Sequence, residues 1–317
     1  MKYLLVAITL FILPATTFGA NWPARVFAPY MYIGAGDNFK ITRCADFCGQ
    51  KFYTIAFIIA DKHRNPAWDG RFPVGGDLYA DQISSIRERG GEVIVSFGGA
   101  DGTELAIADT NAVRLEAKYQ SVIDQYKFSW LDFDIEGDTL TNQSANERRN
   151  LVLAGLQRKN PGLIISYTLP VDPEGISDAS FSLLADAKTE GIKVHSVNVM
   201  TMDFGSHFSK DKRMSNLAIA SAIKAHEQCQ SIDPAMQIGL TAMIGQNDEP
   251  GEIFTPKDAK ALIKWAEAQP WVCSLSFWAS NRDAGKSGKK GTDNDTSGIE
   301  QKPWEFTSIF KPFTTPY

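Results

Sequence analysis

WLDFDIEGD, residues 130–138, is the segment from which the fold is most directly predicted. Its three acids, Asp132, Asp134 and Glu136, alternate with a leucine, a phenylalanine and an isoleucine. Residues two apart on a β-strand share a face, so the carboxylates point one way and the apolar side chains the other. Gly137 then ends the strand. In a barrel of parallel strands this pattern predicts acids that face inward, with Glu136 at the carboxyl end where barrel enzymes build their active sites.

Short apolar runs and helical stretches alternate on both sides of this segment. The predicted strands are 26–33, 52–59, 92–99, 128–136, 163–169, 193–204, 236–244 and 271–279, and the predicted helices are 78–88, 111–125, 145–158, 180–190, 215–228 and 256–268. Such alternation indicates an α/β fold with a parallel sheet, and eight strands predict closure into a (β/α)8 TIM barrel that forms a single domain. The rival fold, a doubly wound open sheet, requires a glycine-rich phosphate turn after its first strand. The turn at 33–40 has only Gly34 and Gly36 of the three glycines.

The composition is that of a globular protein with a sizeable core. Of the 317 residues, 44% are hydrophobic and 22% are charged, and the net charge is −5 with a pI near 5.5. Because there is no basic surplus, we expect neither a nucleic-acid partner nor binding to an anionic membrane. A neutral partner such as a sugar fits better, and we expect a monomer.

The first twenty residues, MKYLLVAITLFILPATTFGA, have the pattern of a secretory signal peptide. Lys2 precedes an apolar run, and small residues follow it. The alternative, a membrane anchor, requires roughly 20 apolar residues, whereas this run is shorter and Pro14 interrupts it. We therefore predict a signal peptide at 1–20, a barrel at 21–317, and export to the periplasm or the cell exterior.

Four cysteines, Cys44, Cys48, Cys229 and Cys273, remain after the leader. In an oxidising compartment this even count permits two disulfides, and the close spacing of the first two favours a local bridge in a loop, leaving the other two to pair. Zinc binding is discounted because the four histidines form no cluster with these cysteines at metal-ligand spacing.

The acid row itself indicates function. Unpaired buried carboxylates cost several kcal/mol each, and close like charges raise the pKa of one member so that it can act as an acid near neutral pH. Two chemistries fit such a row: metal ligation and glycoside hydrolysis.

Motifs along the chain resemble those of a known enzyme family. LDFDIEG resembles the catalytic motif of glycoside hydrolase family 18, the chitinase family. VSFGG (95–99, with Gly98) resembles the Ser-x-Gly-Gly strand of that family, VNVMTMDFG (197–205) its sixth strand, and LSFWASNRD (275–283) its eighth. GLTAMIGQND (239–248) and the closing stretch up to residue 306 are similar to a bacterial and archaeal branch, so the resemblance covers nearly all of the chain after the leader.

The resemblance implies a mechanism and a role for each acid. Glu136 would protonate the glycosidic oxygen, and the 2-acetamido group of the substrate would act as nucleophile with retention of configuration. Asp134 would hold the acetamide and Asp132 would tune Asp134. Trp278 would form the floor of a sugar subsite, and Tyr30 at a strand end is a further candidate for stacking.

Two departures from the family pattern affect these expectations. The tyrosine that usually precedes the sixth-strand aspartate is replaced by Met202, followed by Asp203, and a thioether cannot donate a hydrogen bond. Tyr167 or Asn247 is a candidate replacement donor. In addition, the short segment after the seventh strand leaves no room for the inserted α+β lobe of many relatives. We therefore expect a shallow, open groove that cleaves chains internally.

Three alternatives stay open. An endo-β-N-acetylglucosaminidase would use the same acids on glycans. A lectin on the same barrel would bind without cleavage, although such relatives usually lack the catalytic glutamate. A metal-dependent barrel enzyme is the third possibility. In the leading hypothesis the enzyme is an endo-chitinase that requires no cofactor and no metal.

Overall fold

The computed structural model describes residues 22–35, 40–76, 79–210, 212–285 and 294–315, and shows a parallel barrel surrounded by helices. Its strands are β1 (Val26–Phe27), β2 (Tyr30–Tyr32), β3 (Phe52–Ala60), β4 (Pro66–Trp68), β5 (Phe72–Pro73), β6 (Glu92–Gly98), β7 (Trp130–Asp134), β8 (Ile164–Asp172), β9 (Gly175–Ile176), β10 (Val194–Met200), β11 (Gln237–Met243), β12 (Gly245–Gln246), β13 (Ile253–Phe254) and β14 (Val272–Trp278).

The helices mostly follow the barrel strands in sequence. They are α1 (Ile41–Cys48), α2 (Ala80–Glu88), α3 (Leu105–Ala108), α4 (Ala112–Tyr126), α5 (Gly137–Thr141), α6 (Gln143–Lys159), α7 (Asp178–Thr189), α8 (Ser206–Ser209), α9 (Met214–Ile232), α10 (Pro256–Glu267) and α11 (Glu305–Phe310), with 3₁₀ turns at Ile33–Ala35, Ser280–Arg282 and Lys311–Phe313. None of the helices within the described ranges is long and apolar enough to cross a membrane.

The barrel closes through a first strand that is split in two. β1 pairs in parallel with β14, and β2 pairs in parallel with β3. Pro29, which has no N–H to donate, lies between the two halves. The remaining neighbours run in the order β3, β6, β7, β8, β10, β11, β14, all parallel. The predicted α/β barrel is confirmed, and all six predicted helices are present with small differences at their ends.

Several short elements were not predicted. Strands β4 and β5 form an antiparallel extension of β3, and β12 and β13 form a hairpin between β11 and α10. That hairpin occupies the segment where we expected no inserted lobe. Helix α10 begins with a capping box, because the Thr255 and Asp258 side chains each accept from the backbone N–H of the other, and Pro256 fills the first turn.

The predicted disulfides are absent from the structure, in which all four cysteines are free thiols. Cys44 and Cys48 lie in helix α1 rather than in a loop, and their sulfur atoms are 3.3 Å apart, well beyond the roughly 2.05 Å of a disulfide. The Cys48 thiol instead donates to the Cys44 carbonyl oxygen one helical turn earlier. Cys229 and Cys273 are buried separately in α9 and β14.

The amino-terminal end of the barrel is closed by aromatic packing. Trp22 donates from its indole N–H to the Ser129 hydroxyl at 3.0 Å and packs edge-on against Trp130, with ring centroids 5.0 Å apart. The two ends of the described chain meet beside this cluster, where the Thr315 N–H donates to the Arg25 carbonyl oxygen at 3.2 Å. The opposite end of the barrel, where the strands finish, is left for the loops that form the candidate site.

Candidate active site

Strand β7 places the predicted acids as its alternation requires. Leu131 and Phe133 of the strand are fully buried against the helical layer, and the Phe133 ring stacks on Phe97 with centroids 5.2 Å apart. Asp132 and Asp134 therefore point into the barrel. Glu136 lies just past the strand as the residue that precedes helix α5, and its side chain is partly exposed at the carboxyl end of the barrel.

Asp132 is held by four hydroxyl groups inside the barrel. Its carboxylate accepts from Ser166 at 2.7 Å, Ser96 at 2.8 Å, Tyr30 at 2.9 Å and Thr168 at 3.0 Å. Burial raises the pKa of Asp132, while these hydrogen bonds oppose the rise. Because the four donors come from three different strands, β2, β6 and β8, Asp132 fixes the barrel interior directly below the next acid.

Asp134 and Glu136 form a hydrogen-bonded pair of carboxyl groups. Burial, Glu136 and Asp132 raise the pKa of Asp134 well above its usual range. Burial raises the pKa of Glu136 to about 7, the Asp134 hydrogen bond lowers it, and the charges of Asp101 and Asp203 raise it further. The pair therefore holds a proton near neutral pH. Asp134 Oδ1 is buried without a hydrogen-bond partner among the described residues, which is costly for a polar atom unless a further donor reaches it.

A cleft of about 380 Å³ opens above these acids, within the range of ordinary ligand sites. Trp278 and Phe57 line it and stack with ring planes 14° apart and centroids separated by 5.7 Å. Tyr32 and Tyr30 contact the same indole, at 5.4 and 5.9 Å between centroids. Sugar rings have apolar faces that pack on such aromatic groups. The cleft thus combines a proton-holding pair with an aromatic platform.

Met202 and Asp203 also line the cleft, directly after strand β10. Asp203 has a left-handed backbone with φ of 50°, and its Oδ1 accepts from the Glu249 N–H at 2.8 Å. Burial raises the pKa of Asp203. No hydroxyl donor stands at Met202, so this position offers only a polarizable apolar surface to a ligand.

The structure does not bring Tyr167 or Asn247 to the cleft as donors. Tyr167 faces the helical layer, where its hydroxyl donates to Asn150, because its neighbours Ser166 and Thr168 occupy the inward face of β8. The Asn247 amide donates to two backbone carbonyls, those of Met243 at 2.8 Å and Gly245 at 3.1 Å. Both side chains are therefore structural.

Gly98 acts by close packing rather than by contact with a ligand. Its φ is 98°, and a Cβ at this position would lie 2.1 Å from the Asp134 carbonyl oxygen. That oxygen accepts from the neighbouring Gly99 N–H at 3.0 Å. Only glycine permits this approach of the end of β6 to the end of β7, which sets the position of Asp134.

A buried ion pair supports these two strand ends from outside the barrel. Arg149 and Glu104 form a salt bridge at 2.8 Å, with side chains 0% and 2% exposed. Glu104 also accepts from the Tyr119 hydroxyl at 2.8 Å and from the Ala106 N–H at 2.8 Å. The Tyr119 ring packs edge-on against Phe97, the outward residue of β6. The charged network therefore sits directly behind the acid row.

Most of the residues that line the cleft were not among the predicted site residues. Those on the strands and on the loops that follow them include Phe57, Asp69, Asp101, Met243, Asp248 and Arg282. The acids among them could have been predicted from their positions shortly after predicted strands, because barrel enzymes place site residues there. Within the described ranges, no group of three or more histidine, cysteine and acidic side chains is arranged to hold a metal ion.

Comparisons with known proteins agree with the fold. No family model matches the chain. It is 30% identical over 315 residues to a probable bifunctional chitinase/lysozyme of Escherichia coli K12, in an alignment that covers 92% of this chain and 35% of that protein. It is also 30% identical over 279 residues to endochitinase 11 of Metarhizium anisopliae, covering 83% and 53%. The chain thus spans about a third and about half of these curated relatives.

A solved structure is similar over nearly its whole length. It superposes on this chain with a TM-score of 0.83. It is a structure of catalytic-site mutants of active domain 2 of a thermostable chitinase from Pyrococcus furiosus, complexed with chito-oligosaccharides. The identity is 31%, and the match covers 92% of this chain and 95% of that one.

Proposed function

Because the chain belongs to glycoside hydrolase family 18, the chitinase family, we propose that it hydrolyses β-1,4 linkages between N-acetylglucosamine units in chitin and its oligomers. The observation that carries this proposal is the pair of Glu136 and Asp134 at the floor of the cleft. The pair holds a proton near neutral pH, and Trp278 lines the cleft above it. That the Pyrococcus relative was crystallised with chito-oligosaccharides supports the substrate class.

The first step follows from the position of Glu136. Its carboxyl group donates a proton to the glycosidic oxygen, the bond from that oxygen to the anomeric carbon breaks, and the acetamide oxygen of the same sugar closes on the anomeric carbon. The resulting oxazolinium ion is positively charged. Water then attacks the anomeric carbon, and the Glu136 carboxylate takes a proton from that water. The configuration at the anomeric carbon is inverted twice and is therefore retained overall.

Asp134 has the geometry to serve the cyclic intermediate. Its carboxylate, which lines the cleft, accepts from the acetamide N–H, and its charge stabilises the oxazolinium once the shared proton has passed to Glu136. Asp132, held by its four hydroxyls, stabilises this charge distribution from below. Since Met202 donates no hydrogen bond, the acetamide is positioned from the Asp134 side and by packing.

The anomeric form of the first product tests this mechanism. We expect the purified protein to cut N-acetylglucosamine hexamers and to release products whose new reducing end is the β-anomer. Proton NMR or chromatography that resolves anomers within minutes of mixing measures this. Release of the α-anomer would contradict the acetamide-assisted route, and binding without cleavage would identify a lectin. Internal cuts, giving dimers to tetramers early, would support the proposed endo action.

The pH profile provides a second prediction. Only protonated Glu136 can donate, and its pKa is raised to about 7, so kcat/KM should be highest below that value and fall as pH rises through it. Replacing Asp101 by Asn removes a negative charge that raises the pKa of Glu136, so the decline should move to lower pH. The measurement is kcat/KM against pH for both proteins. A decline centred near about 4.3, the ordinary glutamate value, would contradict the raised pKa of Glu136.

Secretion is part of the proposal on the basis of sequence pattern. The predicted signal peptide, residues 1–20, lies outside the described residues. The apolar run and the small residues after it support export.

A further inference from the structure

The short helix that follows Glu136 is held in place by a buried asparagine. Helix α5 has five residues, too few to be stable alone, so its position depends on contacts with the rest of the protein. The Leu140 N–H of this helix donates to the Glu136 carbonyl oxygen at 3.3 Å. The carbonyl oxygen of the same leucine accepts from the Asn146 side-chain amide at 2.8 Å. Asn146, which lies in α6, is therefore joined to Glu136 through a single residue.

The Asn146 side chain is fixed on its other side by Arg149. The guanidinium donates to Asn146 Oδ1 at 2.8 Å and to Glu104 at 2.8 Å. Because a guanidinium can only donate, the amide oxygen of Asn146 must face Arg149 and its amide nitrogen must face Leu140. Asn146 is 5% exposed, and both of its hydrogen bonds are buried. The orientation of the amide is thus determined by both neighbours.

The ion pair extends this support to the loop after β6. Glu104 accepts from the Ala106 N–H and so caps α3, directly after that loop. The loop contains Asp101, which lines the cleft and raises the pKa of Glu136 by its charge. Arg149 therefore connects the two chain segments that end at the proton-holding pair, the loop after β6 and the helix after β7. Buried hydrogen-bond networks in which each member has its partner make such a region rigid.

Helix α6 itself does not require an asparagine at position 146. The helix is capped by Asn142, whose Oδ1 accepts from the Ala145 N–H at 3.0 Å. Asparagine is a poor helix former, and a buried amide is costly unless its polar atoms are bonded. Alanine or leucine would suit the helix better, so the benefit of Asn146 lies in its hydrogen bond to α5.

On the basis of the proposed function, we infer that Asn146 is a positioning residue for the catalytic acid. By fixing the Leu140 peptide group it holds the turn that carries Glu136, so that the carboxyl group stays beside Asp134 and aimed at the glycosidic oxygen. Asn146 does not line the cleft and acts through the backbone. Misplacement of a reacting group by about 1 Å can cost about a hundredfold in rate, even when its cause lies far from the chemistry.

The variants Asn146→Asp and Asn146→Ala test this inference on the N-acetylglucosamine hexamer. The aspartate keeps an oxygen for Arg149 but offers Leu140 an acceptor in place of the donor, whereas alanine removes both contacts without adding a charge. In each variant kcat should fall about tenfold to a hundredfold while KM stays within about twofold. Binding of the oligomer, measured by tryptophan fluorescence, should be unchanged.

Asn160→Asp is the matched control, at the other end of α6. Asn160 is 4% exposed, and its amide likewise donates to a backbone carbonyl, that of Leu156, at 2.9 Å. Its remaining contacts are with Gln120 rather than with α5. This variant loses the same kind of buried hydrogen bond. It should therefore be destabilised to urea much as the Asn146 variants are, with kcat within about twofold of the unmodified protein.

The remaining outcomes separate the inference from the proposed function. Unchanged kcat in the Asn146 variants, or a fall that Asn160→Asp shares, would overturn the inference and leave the proposed function intact. Failure of both Asn146 variants to fold, or a large rise in KM, would also overturn it, because the side chain would then serve the fold or binding rather than the acid. No cleavage of the hexamer by the unmodified protein would overturn the proposed function and the inference with it.

Discussion

Replacing Glu136 by Gln is expected to lower kcat on chitin oligomers by about a hundredfold to ten-thousandfold, the contribution of a positioned general acid. The amide keeps the size of the side chain and cannot deliver a proton to the leaving oxygen. Substrate binding should persist, because Trp278, Phe57 and Asp134 still line the cleft. Product release measured by chromatography, together with binding measured by tryptophan fluorescence, separates the two effects.

Asp138→Asn is a suitable control for this variant. Asp138 lies two residues further on, is exposed and does not line the cleft. Its replacement should leave kcat within about twofold of the unmodified protein, as for a surface substitution away from the site. If the Glu136 variant kept more than about a tenth of the activity, the proton would have to come from another group.

The second large effect concerns stability. Glu104→Gln removes the charge that Arg149 faces while nearly preserving volume, and should lower the free energy of unfolding by about 3–5 kcal/mol, because a buried guanidinium is left without its counter-charge. Urea unfolding at neutral pH measures this. Glu227→Gln, which breaks the exposed pair of Lys224 and Glu227, should cost less than about 1 kcal/mol. Equal losses in the two variants would contradict the prediction.

The pH dependence of this difference has a definite sign. Burial opposes ionisation of Glu104, but the charge and hydrogen bonds of Arg149 and the Tyr119 hydroxyl lower its pKa in the folded protein. A lowered pKa stabilises the fold above the unfolded value of about 4.3, and this stabilisation is lost as pH falls through the folded pKa. The difference in the free energy of unfolding between the unmodified protein and the Glu104→Gln variant should therefore shrink in acid.

The acid row could be predicted from sequence because its side chains obey the simplest strand rule. Alternation in β7 sends Asp132 and Asp134 inward and buries the apolar partners outside, with no help from distant residues. The same rule, applied to β8, excludes Tyr167 from the cleft once Ser166 and Thr168 are placed inward. Tyr167 is a candidate donor only because Met202 replaces the usual tyrosine, and strand geometry does not support it.

Other parts of the site depend on contacts that no local pattern contains. Phe57 falls where the pairing of β3 with β6 shifts register, between Ala56 and Ile58, so simple alternation does not predict its position. Asp101 and Asp248, which line the cleft, lie on loops after two different strands, and barrel closure brings both loops to the same cleft. Helix α1 is not predicted from the sequence, because the spacing of Cys44 and Cys48 favours a loop with a disulfide.

The meeting of Arg25 and Thr315 beneath the barrel determines how anything joined to this chain would be oriented. An appended domain, a purification tag or a surface linker on either side would begin from the face opposite the cleft. The aromatic platform lies at the other end of the barrel. Because both attachment points are neighbours, joining them by a short linker and opening the chain at a loop elsewhere should give a permuted enzyme with its groove unobstructed.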